Sequence, residues 1–192
     1  MPLAFDPRST ALLLIDPQNW TLGLPIRPYA KAPLIEKMVT TMQALRDAGG
    51  TLIVSRAAFS EGYADMIRTP VDVVLNVPEG GMPDEALALD PAVAALQAEL
   101  VLTKRQWSAF YGTELDLQLR RRAIRTLLIG GVMTNFGVES TARDAWQHNY
   151  ETVVVEDLCS SLTHDMHAFS IEQILPRVAR VRSSADVVSA CH

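Results

Sequence analysis

Apolar residues in this chain fall into short unbroken runs separated by stretches with helical spacing. Ala11–Ile15 is one such run. It leaves no polar face, the mark of a strand buried on both sides in a helix-covered parallel sheet. Thr51–Ser55, Leu100–Thr103, Thr126–Val132, Thr152–Val155 and Val178–Val181 supply further strands. After the first run, Ile35, Met38, Val39, Met42 and Leu45 recur at helical spacing, predicting a helix over Leu34–Ala48 that Gly49-Gly50 ends. Helices are also predicted from Thr113 to Arg122, from Phe136 to Asn149, from Thr163 to Leu175, and as a short turn from Ser184. The first has a Thr113-x-x-Asp116 pattern that approximates a capping box. Strands alternating with helices predict an α/β protein with a parallel sheet and helices on both faces, as one domain over residues 1–192.

Residues 56–92 interrupt that rhythm. Pro70, Pro78, Pro83, Pro91 and Gly80-Gly81 forbid any long element. So long an irregular stretch inside a compact domain points to a functional or interface segment.

In open α/β sheets ligands bind outside the carboxyl ends of the strands. The first strand delivers Asp16 to that rim, the third Lys104, and the fourth the turn Met133–Gly137, which opens a helix whose N–H groups favour negative charge. On the residues alone, Asp16 reads equally as a partly buried acid or as the cap of the Asp16-Pro17-Gln18 turn. Lys104 reads as a snorkelling surface lysine, or as an ammonium walled by Trp107, Phe110 and Tyr111. Arg56 leaves the second strand at the same rim and could fork onto a carboxylate or merely pair at the surface. Gln18 and Asn135 are candidate substrate contacts, with Asn135 alternatively a helix cap. Thr134 is expected to brace the turn.

Composition narrows the function. The 192 residues are 48% hydrophobic and 20% charged, as in a globular domain with a sizeable core. The net charge of −5 argues against a nucleic-acid or anionic-membrane partner, and the basic run Arg120-Arg121-Arg122 ends a predicted helix, where cations suit the dipole. Two cysteines, Cys159 and Cys191, make no disulfide framework, and neither a signal pattern nor a membrane-length apolar run is present, so a cytoplasmic protein is expected. His164 and His167, three apart on a predicted helix, read as packing rather than ligands. No metal and no cofactor is expected, nor is a nucleotide, for want of a phosphate-loop pattern.

Three segments carry a family resemblance: Ala11-Leu12-Leu13-Leu14-Ile15-Asp16-Pro17-Gln18, Thr103-Lys104-Arg105-Gln106-Trp107-Ser108-Ala109-Phe110-Tyr111-Gly112-Thr113, and Thr134-Asn135-Phe136-Gly137-Val138-Glu139-Ser140-Thr141-Ala142-Arg143. In this order they resemble the isochorismatase-like hydrolases, also called cysteine hydrolases. The resemblance implies a Rossmann-like three-layer sandwich with a six-stranded parallel sheet in order 3-2-1-4-5-6. It implies a catalytic Asp16 and Lys104, and a non-proline cis peptide at Val132–Met133. It also implies an oxyanion cradle from the N–H groups of Met133 and Gly137. The family's thiol nucleophile falls at Gly137, which has none. Amidase chemistry through a thiolate is therefore not expected.

Isochorismatases proper also carry Gly there and cleave a vinyl ether through acid catalysis by the first-strand Asp, although around the cradle they have an aromatic-Ala-His version in place of Met133-Thr134-Asn135. On this footing the chain is expected to hydrolyse a small, anionic metabolite, with Asp16 as general acid or base, Lys104 assisting, and Gln18, Arg56, Trp107, Phe110 and Asn135 lining the pocket. The alternatives are a binding protein that has lost turnover, and a hydrolase that recruits Cys159 as nucleophile. Family habit implies a homo-oligomer, a dimer or tetramer, with the 56–92 segment at the subunit interface.

Overall fold

A computed structural model describes residues 2–74, 78 and 81–192; Gly80, one of the predicted breakers, lies outside the described residues. Six strands, β1 (Thr10–Ile15), β2 (Thr51–Ala57), β3 (Leu100–Lys104), β4 (Thr126–Val132), β5 (Glu151–Ser160) and β6 (Arg180–Arg182), form one all-parallel sheet in order β3-β2-β1-β4-β5-β6. The helices are α1 (Asn19–Leu22), α2 (Lys31–Asp47), α3 (Asp84–Leu87), α4 (Pro91–Ala94), α5 (Leu115–Arg121), α6 (Glu139–Gln147), α7 (His164–Phe169) and α8 (Ser184–Ala190).

Strand periodicity divides the core into two layers. Leu12 and Leu14 of β1, Leu52 and Val54 of β2, and Val153 and Val155 of β5 pack on one face against Leu34, Met38, Met42 and Leu45 of α2 and Val187 of α8. The intervening Ala11, Leu13 and Ile15, with Ile53, Leu127, Ile129 and Val154, face Leu115 and Leu119 of α5 and Val138, Ala142 and Ala145 beside or within α6. Side chains alternate across a strand, so an unbroken apolar run serves both layers at once. No helix among the described residues is long and apolar enough to cross a membrane.

Several elements depart from expectation: β5 runs on from the predicted Thr152–Val155 to Ser160, and the predicted Thr163–Leu175 helix is α7 followed by a π-helical turn Ser170–Ile174. β6 is Arg180–Arg182 rather than Val178–Val181, because Val178 and Ala179 instead donate their N–H groups to the Leu175 carbonyl and close a turn. The predicted Phe136–Asn149 helix opens two residues earlier, at Thr134, as a π-helical turn Thr134–Val138 that leads into α6. The capping box at Thr113 does not form: α5 begins at Leu115, whose N–H bonds the Thr113 hydroxyl, while Asp116 pairs with Arg120 and Tyr150. The irregular 56–92 stretch holds short elements the sequence did not announce, a 3-10 turn at Glu61–Tyr63 and helices α3 and α4.

Candidate active site

β1 and β4 lie at the centre of the sheet, where the strand order reverses, and their carboxyl ends nearly touch. Ile15 is in register with Gly131. Gly131 has φ +120°, and a Cβ there would lie 2.2 Å from the Ile15 carbonyl oxygen. Only glycine permits that approach. β5 then departs from even pairing with β4, since Ile129 aligns with Val154 but Gly131 with Cys159. Extra residues of β5, Glu156 and Asp157 among them, are thereby displaced at the rim.

Asp16 leaves β1 with φ 48°, a left-handed conformation that Asp tolerates better than most residues. Its N–H donates to the Ser55 carbonyl at 3.2 Å, and its own carbonyl accepts from the Thr21 hydroxyl at 2.6 Å and the Gln18 N–H at 2.8 Å. Thus held, the carboxylate accepts from the Ser55 hydroxyl at 2.8 Å and meets the Lys104 Nζ at 2.5 Å. The two side chains are only 8% and 3% exposed. Lys104 also donates to the Gln106 carbonyl at 3.1 Å. Burial pushes the Asp16 carboxyl above its ordinary range, against the opposing pull of Lys104 and Ser55. An acid and an ammonium from separate strands therefore converge, as their strand-end positions predicted.

Beyond β4 the peptide Val132–Met133 is cis. The Met133 side chain is buried in the core, and its carbonyl accepts from the N–H groups of Phe136 and Val138, each at 3.2 Å, passing over Gly137. Such π-turns recur at functional sites. The turn is tied at three points. Thr134 Oγ1 lies 2.8 Å from His167 Nδ1, the Ser161 hydroxyl donates to the Asn135 side-chain Oδ1, and the Thr141 hydroxyl donates to the Gly137 backbone carbonyl at 2.7 Å. A Cβ at Gly137 would stand 2.7 Å from Ile15 Cγ2 and 3.5 Å from the Trp107 carbonyl oxygen. The space beside Gly137 is therefore already taken up by Ile15. Trp107 itself is exposed and packs against Phe136 with ring centroids 4.9 Å apart.

Other expected pocket residues lie elsewhere. Gln18 is fully buried. Its carbonyl oxygen accepts from Ala57 N–H at 2.7 Å and its amide donates to the Ala57 and Leu87 carbonyls, so it clamps β2 to α3 and keeps no group for a substrate. Phe110 is buried and stacks on His148 at 5.1 Å and near Tyr150, which precedes β5 at the opposite end of the strands. Arg56 stays exposed and donates to the Thr103 hydroxyl at 3.0 Å on the neighbouring edge strand. Cys159 is enclosed in the core and its Sγ bonds the Val155 carbonyl at 3.2 Å; burial and Glu156 push its thiol up, so no thiolate is at hand for the recruited-cysteine alternative.

Sequence reading missed Ser55, which closes an apolar strand and so resembled a boundary residue. It also read His167 as packing. Its carboxylate partner Glu156 comes from another element, so chain spacing carried no sign of it. Among the described residues no three His, Cys, Asp or Glu side chains gather as a metal site requires. A groove of about 570 Å³ along α2 and α4 holds one ion pair, Lys31–Asp90, and none of the groups above.

A parallel sheet in this order, with an acid–ammonium pair on its carboxyl rim beside a helix-opening turn, is the frame of an isochorismatase-like hydrolase. Residues 10–186 match the isochorismatase domain, and the chain belongs to that family. It is 37% identical to the isochorismatase family protein YecD of Escherichia coli O157:H7, over 98% of this chain and 99% of that protein. A solved isochorismatase family protein from Burkholderia thailandensis superposes with a TM-score of 0.92 at 35% identity, covering 100% of this chain and 99% of the other. The ureidoacrylate amidohydrolase RutB of Cronobacter sakazakii is 29% identical over 97% of this chain and 91% of its own length.

Proposed function

We propose that this family member hydrolyses a small, anionic metabolite without a thiol nucleophile, Asp16 serving as general acid and base. The observation that carries the reading is the buried Asp16–Lys104 contact at 2.5 Å, with the carboxyl raised by burial, beside a turn whose Gly137 offers no nucleophile. A carboxyl held above its ordinary range keeps a proton to donate nearer neutrality.

The most concrete form is vinyl-ether cleavage. Protonated Asp16 gives its proton to the terminal carbon of the enol ether. Water adds to the oxocarbenium carbon and returns a proton to the carboxylate. The hemiketal so formed collapses to a ketone and an alcohol. Lys104 stabilises the carboxylate during the step in which it is charged and gives a substrate carboxylate a partner. The turn Met133–Gly137 presents helix-opening N–H groups to an anionic part of the substrate. Trp107 and Phe136 supply the aromatic edge against which the substrate lies.

The test is a screen of small carboxylated enol ethers and amides with the intact protein. Asp16→Asn, which keeps an acceptor oxygen for Ser55 but removes the transferable proton and the charge facing Lys104, abolishes turnover. Iodoacetamide leaves activity intact. An undiminished Asp16→Asn protein sinks the reading. A second reading, a binding protein without turnover, is favoured by the near-complete enclosure of Asp16 and Lys104. Any Asp16-dependent product in the screen eliminates it.

A further inference from the structure

His167 is an enclosed titratable group that the chemistry above does not use. It sits on α7 and is 4% exposed. Its Nδ1 lies 2.8 Å from Thr134 Oγ1 and its Nε2 lies 3.1 Å from Glu156 Oε1. Glu156 is held in turn by the Tyr29 hydroxyl, which donates to its two oxygens at 2.9 and 3.1 Å. Burial and the adjacent Glu156 push Tyr29 up to about 12, so its hydroxyl remains a donor. The Tyr29 ring also meets the imidazole edge-on, with centroids 6.2 Å apart. Four elements thus converge on one imidazole: the segment before α2, the π-turn after β4, the displaced part of β5, and α7.

For a neutral imidazole the two contacts constrain where the proton sits. An ionised carboxylate only accepts, so Nε2 carries the proton toward Glu156. Nδ1 of a neutral imidazole is then an acceptor, and the Thr134 hydroxyl donates to it. This is the hydroxyl–imidazole–carboxylate order of a nucleophilic triad, but Thr134 is completely enclosed and cannot meet a substrate. What the chain can do is orient. Thr134 follows the cis peptide directly and lies at the start of the turn that carries Asn135, Phe136 and Gly137.

We propose that Thr134, His167 and Glu156 form a positioning relay that fixes the tautomer of His167 and, through the Thr134 hydroxyl, the conformation of the Met133–Gly137 cradle. This rests on the hydrolase reading for its effect on turnover, but not for its wiring. Partners one shell out of a reacting centre hold geometry in this way, and a misplacement near 1 Å lowers rates by about 100-fold.

The test has two arms on the full-length chain. Long-range proton–nitrogen correlation of the ¹⁵N-labelled protein, without any ligand, is expected to show His167 as the Nε2–H tautomer with an unprotonated Nδ1. Glu156→Ala is expected to release that preference. An Nδ1–H tautomer in the unaltered protein overturns the proposal. In the second arm, on the substrate from the Asp16-dependent screen, Thr134→Val lowers kcat by about 100-fold with KM changed less than about threefold, while Thr134→Ser, which keeps the hydroxyl, restores kcat to within about threefold. A folded Thr134→Val protein with full kcat also overturns the relay. If Thr134→Val does not fold, the tautomer spectrum of the unaltered protein decides alone. A dead Asp16→Asn enzyme with a fully active Thr134→Val protein sinks the relay only. An active Asp16→Asn enzyme sinks Asp16 as the general acid and leaves the spectral arm standing.

Discussion

Gly137→Ala measures whether the place where a thiol would project is open or already filled. The added Cβ would stand 2.7 Å from Ile15 Cγ2, about 1 Å inside ordinary carbon–carbon contact. Ile15 is fully enclosed, and its β-branched side chain is restricted at χ1. Neither atom can retreat without moving β1 against the turn. Overpacking of this kind costs about 1–3 kcal/mol. The gain in backbone entropy from Gly to Ala returns roughly 0.5–1 kcal/mol, since Gly137 does not adopt a left-handed φ. The net expectation is a loss of about 0–2.5 kcal/mol, a fall in Tm of up to roughly 10 °C for a domain of this size.

Ile15→Ala alone opens a cavity and costs about 2–5 kcal/mol. In the double variant the new methyl group enters that cavity, so the pair is less destabilised than the sum by about 1 kcal/mol or more. Urea denaturation followed by fluorescence gives the four midpoints, with constant m-values as the check on two-state comparison. If Gly137→Ala stabilises the protein and the two changes add within about 0.5 kcal/mol, Ile15 does not occupy the position and the steric argument fails.

Activity should depend on pH with one sign. The folded-state pKa of Asp16 is raised, so the proton it donates is present at low pH and lost as pH rises through the folded value. The kcat/KM profile should therefore fall on its alkaline side, and Lys104→Met, which removes the opposing charge, should move that limb to higher pH; an unmoved limb assigns it to another group. The same linkage applies to stability: Asp16 binds its proton more tightly when folded, so its contribution is complete below its unfolded value and disappears as pH rises through the folded one. Denaturation across pH of the unaltered protein against Asp16→Asn should show a difference that declines with rising pH, and a difference that grows refutes the assignment. Ile67, Val71, Val73 and Val74, in the stretch expected at a subunit interface, are each exposed, at 59%, 62%, 88% and 64%. Light scattering should give a multiple of 21.1 kDa that Val73→Glu reduces toward the single chain, and a monomeric unaltered protein refutes it.

Much of the site was legible because it follows strands. Asp16 and Lys104 each end an apolar run, and an apolar run that ends at a sheet rim fixes where the next side chain emerges. Gln18 and Phe110 were misread for the opposite reason. Their neighbours in the chain say nothing of Ala57, Leu87 or His148, whose backbone and ring atoms claim them. A buried amide takes whatever backbone partners the fold presents, since leaving them unpaired costs more than any gain from facing a ligand.

Hydrophobic period alone determined that this is a layered α/β protein with a parallel sheet, and which strand ends could hold chemistry, because a side chain's face is set locally by backbone geometry. The 2.5 Å contact of Asp16 with Lys104, the filling of the room beside Gly137 by Ile15, and the meeting of Thr134, His167 and Glu156 were decided only by tertiary structure. Each joins residues from different elements, and the distance between such residues depends on packing across the whole sheet rather than on anything written beside them in the chain.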